Sequence, residues 1–449
     1  MEPFRHHVFV CTQEKAEGVP CCSAAGSLRI LDALHRELGS QGLADDVQVS
    51  SCGCLGICDS GPAMIVYPVG TWYAKLTPTD VPEIVSSHLK AGEKVTRLER
   101  TDEAAMKSEI LDHRNKYLAM LKGKDAAGVL PDDLSELIRG FMPSRAILTA
   151  LELDVFTAVG KGGTAKPIAS KIQAAVRGTE MLLNVLVNLK LLEKHDGIYT
   201  NTPVAARFLV ENTPDSARTA QLHMANMWRR WSKLTDAVRT GTAVEAARDN
   251  GWVKSFIAAM DHTARGPARA VVQAVELNGE KRMLDLGGGS GAYSIAFVKT
   301  TPALHAEIVD LPEVLPITQE HIRQAGLSDR ISTRPGDMLS VALAPASYDL
   351  VLLSAICHMF SPEENRQLLN RAYAALAPQG RLVISDFILD ADKTSPRFAT
   401  LFALNMLVGT RAGASYSEPE YEEWLKAAGF AGVKHVRIPG PANLMIATK

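Results

Sequence analysis

Long apolar runs are missing from this 449-residue chain: no stretch reaches the roughly 18 consecutive apolar residues that a membrane span requires. The first residues, MEPFRHHVFV, also lack the charged segment and long apolar stretch of a secretory leader. An excess of either charge is missing too. With 48 Lys and Arg against 50 Asp and Glu, the chain has no electrostatic footprint for nucleic acid or an anionic membrane, and neither partner is expected. Cysteine is scarce and lopsided: six of the seven lie before residue 60, an odd total that cannot form a complete disulfide framework. A cytoplasmic location is therefore expected, with the clustered cysteines engaged in metal or redox work. What the chain has in quantity is ordinary globular material, 46% hydrophobic and 22% charged, enough for about three domains.

The local pattern changes twice along the chain. His7 to Cys11 reads as a short strand, Ser27 to Leu38 as an amphipathic helix with apolar Leu28, Leu31, Leu34 and Leu38, and Val47 to Ser50 as a second strand. A hairpin through Ala63 to Leu76 and a helix over Thr79 to Leu89 complete a compact α/β unit, with the cysteines in its loops. Leu98 to Lys124 is helical in period but charged and poor in large apolar groups, so it reads as a linker helix, and residues 1–99 are expected to fold and hold their metal alone. Amphipathic helices follow from Leu130, with a short ribbon at Leu192 to Thr200 turning at Asp196-Gly197. A helix-plus-wing pattern usually binds DNA, yet the candidate recognition helix, GTEMLLNVLVNLK, carries one basic residue. Dimerisation is the better reading. After Glu276, strands alternate with helices, as in a mostly parallel sheet covered on both faces. The expected divisions are 1–99, a linker helix at 100–125, a helical winged-helix-like region at 126–276 and a doubly wound Rossmann-like domain at 277–449.

Cys11, Cys22, Cys54 and Cys58 are separated by ten, thirty-one and three residues. Four thiolates suffice for one [2Fe-2S] cluster, in which each iron takes two protein sulfurs. Structural zinc usually shows two short chelating pairs, whereas the first pair here is widely split; zinc and inert buried thiols remain the alternatives. The spacing, together with HVFVC, the CSAAGS that follows the second cysteine, the CLGIC-DSGP loop and the VYPVGTWY hairpin, resembles the thioredoxin-like [2Fe-2S] ferredoxins. That resemblance favours Cys22 over Cys21 and Cys54 over Cys52 as ligands. Cys357 reads as a core residue.

A second signature, Asp285-Leu-Gly-Gly-Gly-Ser-Gly291, follows a strand and opens a helix, where glycines let the backbone approach a ligand closely. Alone, it also describes a degenerate dinucleotide fingerprint with Asp310 on a ribose. Asp310-Leu311-Pro312 after the second strand and Gly336-Asp337-Met338 after the third complete a pattern that resembles the class I S-adenosylmethionine methyltransferases. The resemblance implies that Gly287, Gly289 and Gly291 approach the aminocarboxypropyl part of the donor, that Asp310 accepts both ribose hydroxyls, that Asp337 and Met338 flank the adenine, and that Asp285, Leu311 and Ser354 belong to the same site. Asp310 and Asp337 could instead be caps or turn residues.

The segment LLSAICHMFSPEENRQLLNRAYAALAPQGRLVISDFIL resembles the O-methyltransferases that include the caffeate, flavonoid and acetylserotonin enzymes, and PSRAILTALELDVF resembles their dimerisation domain. That family implies a homodimer, a small-molecule acceptor such as a phenol, His358 as general base and Asp386 as its orienting acid. An imidazole neutral near pH 7 suits removal of a phenolic proton, whose ordinary pKa is about 10. Met359 stands where the family usually has aspartate, and Ser415 where it has a second orienting glutamate. His358 could then shape the pocket instead, and Met224, Trp228, Trp231, Phe402 and Met406 are either acceptor-pocket or core residues. His6, His7, His262 and His321 read as surface residues. The expected protein is an S-adenosylmethionine-dependent O-methyltransferase with a [2Fe-2S] domain served by a redox partner protein. The alternatives are a redox protein that binds the donor without transferring methyl, and a donor-assisted decarboxylase or hydroxylase.

Overall fold

The computed structural model describes residues 3–15, 19–126, 130–244 and 252–449. The chain divides into two compact units, Met1–Arg139 and Gly140–Lys449.

In the first unit, β1 (His6–Cys11), β2 (Val47–Cys52), β3 (Met64–Tyr67) and β4 (Thr71–Tyr73) form one sheet in the order β2-β1-β3-β4. β1 runs parallel to β2 and antiparallel to β3, and its alternate residues Val8 and Val10 are fully buried, as a strand with one face on a core requires. The helix Ser27–Ser40 lays Ile30, Leu34 and Leu38 on that face, spaced by one turn each. Leu28, expected on the apolar stripe, lies 48% exposed because the stripe runs through Ile30 instead.

The helix Glu103–Ala126, read from sequence as a linker, does more than connect. Met106 is buried in a small core with Cys11, Cys22, Ile57, Ala63 and Ala74, and Ile110 packs beside it. Gly56 sits in the left-handed region at φ +85°, and a Cβ there would come within 3.0 Å of the Ile110 side chain. The first turns of this helix therefore cover the cysteine loop, and an expected cut at residue 99 would remove that cover. The expected join beyond residue 125 lies partly outside the described residues, at 127–129.

In the second unit, the helices Phe141–Glu152, Val155–Val159, Ala165–Lys171 and Val176–Asn188 pack with the ribbon β5 (Leu192–His195) and β6 (Ile198–Asn201) around Leu148, Leu151, Phe156, Ile168, Leu183, Leu186 and Tyr199. A seven-stranded sheet follows: β7 (Arg282–Leu286), β8 (His305–Asp310), β9 (Ile331–Pro335), β10 (Tyr348–Ser354), β11 (Leu376–Asp386), β12 (Ala431–Arg437) and β13 (Asn443–Thr448), in the order β12-β13-β11-β10-β7-β8-β9. The five strands from β11 to β9 are parallel, and β13 pairs antiparallel with both β11 and β12. Leu350 to Leu353 are all fully buried, which explains their unbroken apolar run in a strand covered on both faces. The chain steps outward from β7 to β8 and β9, then returns to β10 on the other side of β7. That reversal opens a crevice beyond the strand C-termini, where sheets of this kind bind ligands. Among the described residues, no helix is long and apolar enough to cross a membrane.

Burying a Met or Ile side chain is worth roughly 1.5–3 kcal/mol, so the cover over the cysteines should matter. Fragment 1–126 is expected to keep its visible colour in air longer than fragment 1–99. Equal bleaching rates would mean that Met106 and Ile110 protect nothing.

Candidate functional site

Cys11 ends β1, Cys22 precedes the helix Ser27–Ser40, and Cys54 and Cys58 flank the Leu55-Gly56-Ile57 turn after β2. Their sulfurs fall into two pairs. Cys54 Sγ lies 3.3 Å from Cys58 Sγ. Cys11 and Cys22 are packed together in one small core, and the neighbouring thiol holds Cys11 down to about 6 while Cys22 is pushed upward. Two sulfurs for each of two irons is the donor set of a [2Fe-2S] cluster. A single tetrahedral ion would gather all four sulfurs in one shell, whereas among the described residues the set of ligand atoms within 4.8 Å of one another is Asp59, Glu109 and His113.

The surroundings fit thiolates. Lys15 Nζ donates to Cys58 Sγ at 2.9 Å, and the Gly56 N–H donates to Cys54 Sγ at 3.4 Å. A Cβ on Gly61 would come 2.9 Å from Cys22 Sγ, so only glycine lets the chain pass there. Cys21 turns aside to accept from the Ala24 N–H at 3.4 Å. Cys52 stands opposite Cys11 in the β1–β2 register, and burial pushes its thiol up to about 11. Cys54 is exposed while Cys11, Cys22 and Cys58 are buried, so one edge of the set faces solvent.

In the second unit, the parallel strands bring the other candidate residues to one edge of the sheet. The Gly287 N–H donates to Val309 O at 2.8 Å, tying the glycine loop to β8. Gly287 has φ +74°, and a Cβ there would strike Ile356 at 2.3 Å and Met338 at 2.8 Å. Asp310 is buried and accepts from the Gly289 N–H and the Leu311 N–H, each at 2.7 Å, so it braces the loop with one oxygen and its own turn with the other. Each oxygen keeps a second lone pair for a ligand hydroxyl. Thr318 Oγ1 donates to Gly289 O at 2.6 Å and fixes the loop from the other side. Asp337 is exposed and accepts from the Leu339 N–H at 2.8 Å, which makes it a turn residue as well as a crevice residue. Leu311 is exposed, and Met338 and Ser354 are half-buried. Tyr293, which the sequence reading missed, lies in the first turn after the glycine loop, where burial raises its phenol above the ordinary range.

Asp285 is the odd group. It is wholly buried, accepts from Ser294 Oγ at 2.6 Å through Oδ2, and leaves Oδ1 without a hydrogen-bond partner among the described residues. Burial holds its pKa up at about 7. A buried, unsatisfied carboxylate oxygen beside a glycine loop fits a cationic ligand, and S-adenosylmethionine carries an ammonium and a sulfonium.

His358 lies in the turn Cys357–Met359 after β10. Its Nδ1 is 2.7 Å from Asp386 Oδ1 at the end of β11, and its backbone N–H donates to Asp386 Oδ2 at 3.2 Å. An ionised carboxylate only accepts, so Nδ1 carries the proton and Nε2 keeps its lone pair. Nε2 has no hydrogen-bond partner among the described residues. Phe402 meets the imidazole edge-on at 4.8 Å, and Phe387 stacks at 5.9 Å. Trp231 Nε1 donates to Asn405 Oδ1 at 3.0 Å, linking its helix to the one that carries Phe402. The remaining pocket candidates divide: Trp228 packs on Phe141 and Arg145, Met406 is buried and Met224 is exposed. Met359 is exposed, and Ser415 is buried with a hydroxyl that has no partner among the described residues. His6 is buried against His88, not on the surface, because it starts a strand over the core. His321 lies 3.2 Å from Ser290 O, so it too helps hold the glycine loop.

Residues 231–431 match the O-methyltransferase domain, residues 135–211 the O-methyltransferase dimerisation domain, and residues 2–89 the thioredoxin-like [2Fe-2S] ferredoxin. The chain is 34% identical over 328 residues to the 3-hydroxy-5-methyl-1-naphthoate 3-O-methyltransferase of Streptomyces sahachiroi, covering 71% of this chain and 94% of that one. It is 31% identical over 332 residues to the tetracenomycin polyketide synthesis 8-O-methyl transferase of Streptomyces glaucescens, covering 71% and 97%. This chain belongs to the O-methyltransferase family. The crystal structure of human N-acetylserotonin methyltransferase in complex with S-adenosylmethionine matches with a TM-score of 0.63 and 28% identity, over 70% of this chain and 96% of that one. The methyltransferase is thus S-adenosylmethionine-dependent, and its N-terminal domain is of the thioredoxin-like [2Fe-2S] type. Its dimerisation domain supports a homodimer acting on a small-molecule acceptor.

Cys54→Ser or Cys58→Ser is expected to bleach the visible absorption of the methyltransferase, and Cys52→Ser to leave it; bleaching by Cys52→Ser alone would shift the ligand register. For the donor, a cation beside Asp285 favours its ionised form, so binding below pH 7 must release a proton. Donor affinity measured by calorimetry should fall as the pH drops from 7.5 to 5.5, by at most about tenfold per pH unit for one proton. Asp285→Asn should flatten that slope. A flat profile in the wild type would remove Asp285 from the donor's charge.

Proposed function

We propose that this O-methyltransferase works as a cytoplasmic homodimer that methylates a phenolic hydroxyl on a ring-bearing small molecule, with His358 as general base. The observation that carries this reading is the 2.7 Å contact between His358 Nδ1 and Asp386 Oδ1, which leaves Nε2 free to accept a proton between apolar walls. The naphthoate and tetracenomycin relatives, named for 3-O and 8-O transfer, support an aromatic acceptor.

Gly287, Gly289, Gly291, Asp310 and Leu311 would hold S-adenosylmethionine at the crevice, with Asp285 facing its positive charge and Asp337, Met338 and Ser354 completing the wall. When bound, the donor supplies an electrophilic methyl on sulfur. Phe402 and Phe387 present flat apolar faces to an aromatic ring. His358 Nε2 would take the hydroxyl proton as the methyl passes to the acceptor oxygen, its bond to sulfur breaking so that the demethylated donor leaves, and Asp386 would stabilise the imidazolium that forms. The base matters most for an acceptor that is neutral at the working pH; an acidic hydroxyl needs only proximity and orientation.

Cys11, Cys22, Cys54 and Cys58 would hold the [2Fe-2S] cluster, which supplies one-electron exchange. The exposed side at Cys54 suits transfer to a redox partner protein or sensing of a soluble oxidant.

Incubation with methyl-labelled donor and a panel of neutral phenols is expected to yield labelled ethers and stoichiometric demethylated donor. His358→Gln should slow the reaction by roughly 10²-fold or more while leaving donor affinity intact. Equal turnover with a neutral phenol would leave His358 a shaping role only, and absence of any labelled product would favour the donor-binding redox reading.

A further inference from the structure

Among the described residues, one carboxylate stands behind His358. Where the family pattern places a second orienting acid, this chain has Ser415, whose buried hydroxyl makes no hydrogen bond among the described residues. How well His358 is held therefore depends on how well Asp386 is held.

The two oxygens of Asp386 are unequally anchored. Oδ1 accepts from His358 Nδ1 at 2.7 Å and from the Phe387 N–H at 2.8 Å. Oδ2 accepts from the His358 N–H at 3.2 Å and from the Tyr421 hydroxyl at 3.4 Å. Both Oδ2 bonds are long, so neither alone fixes the rotation of the carboxylate. The backbone amide belongs to the turn that moves with His358. Tyr421 comes from elsewhere, the helix Glu418–Ala427, and is the outside reference against which the His358–Asp386 pair is set.

Tyr421 is built to stay in place. It is 1% exposed, and its ring lies edge-on to Tyr416 at 6.2 Å and to Trp424 at 5.6 Å. Burial and the Asp386 charge push its ionisation well above the ordinary phenol range, so it remains a donor at every working pH.

We infer that Tyr421 is a positioning residue for proton transfer: through Asp386 Oδ2 it sets the carboxylate that orients His358, in the role left open at Ser415. This rests on the reading of His358 as base. The hydroxyl stabilises the charged form of Asp386 and disperses part of its charge. Without it, Asp386 pivots more freely, and its more concentrated charge favours the imidazolium, which holds a proton to higher pH and is no base.

The test uses the full-length methyltransferase and compares the wild type with Tyr421→Phe and His358→Gln. Tyr421→Phe keeps the ring against Tyr416 and Trp424 and removes only the oxygen. With a neutral phenol, kcat for Tyr421→Phe at pH 7 should fall roughly three- to tenfold, the scale of one ordinary hydrogen bond, as its 3.4 Å length suggests, and the acidic limb of its pH–rate profile should move to higher pH. With a nitrophenol already ionised at that pH, its rate should match wild type, and donor affinity by calorimetry should be unchanged. A Tyr421→Phe profile superimposable on wild type overturns the proposal, as does an equal loss with both phenols, which would mark Tyr421 as packing only. His358→Gln separates the two readings: if it keeps the wild-type acidic limb and rate, the base assignment fails and Tyr421 loses its role with it. If that limb disappears while Tyr421→Phe stays normal, the base stands and only the Tyr421 inference falls.

Discussion

Parallel pairing of β7 with β10 is the constraint from which the methyl-transfer half follows. Asp285 on β7 stands opposite Leu352 on β10, while Ser354 on β10 stands opposite Ser385 on β11. Three strands held in that register deliver three loops to one edge: the glycine loop, the turn with His358, and Asp386. A parallel ladder fixes direction as well as spacing, so residues separated by a hundred positions in the chain arrive on the same side of the sheet. A slip of one residue at β10 would move each of its buried residues to the opposite face of the sheet and carry the histidine turn away from Asp386. The close contact of Gly287 with Ile356 and Met338 is a local expression of the same constraint, since two loops can meet there only if one has no side chain.

The ferredoxin half depends on a different device. A short four-stranded sheet supplies a core, but its cysteine loops need cover from solvent, and Met106 and Ile110 supply it from a helix that is otherwise charged. Cover is incomplete by construction. Cys54 stays exposed while its partner Cys58 is buried and bonded to Lys15, so the two sulfurs of one pair meet different dielectric surroundings.

Much of this was legible in the residues. Four cysteines at distinctive spacing, glycines at the mouth of a helix and acids at successive strand ends are signals because few alternative structures need those residues in those places. The signals that failed were weak for physical reasons. Met106 and Ile110 are one turn apart, but the other apolar residues of the helix are scattered among its charges, so it shows almost no periodic stripe although that pair suffices for its contact. Leu28 and Ile30 are both apolar, and periodicity alone does not say which the core receives. Tyr421 lies 35 residues beyond Asp386 and looks like any core aromatic on a helix; only the fold shows that its hydroxyl reaches a carboxylate. Tyr293 was hidden likewise, because an aromatic in a first helical turn announces nothing until the strand beside it is known. His6 reads as polar, and its burial comes from its place at the start of β1.

The helix Glu103–Ala126 also bears on how such proteins come to be assembled. Domains are commonly pictured as beads that recombination can cut and paste at the string between them. Here the string begins as part of the bead. A breakpoint placed where the sheet ends would transplant the cysteines but leave behind the two side chains that roof them, handing the recipient a metal site open to air. The heritable module is therefore longer than the sheet it contains, and a successful graft of this domain onto another enzyme has to bring its roof along.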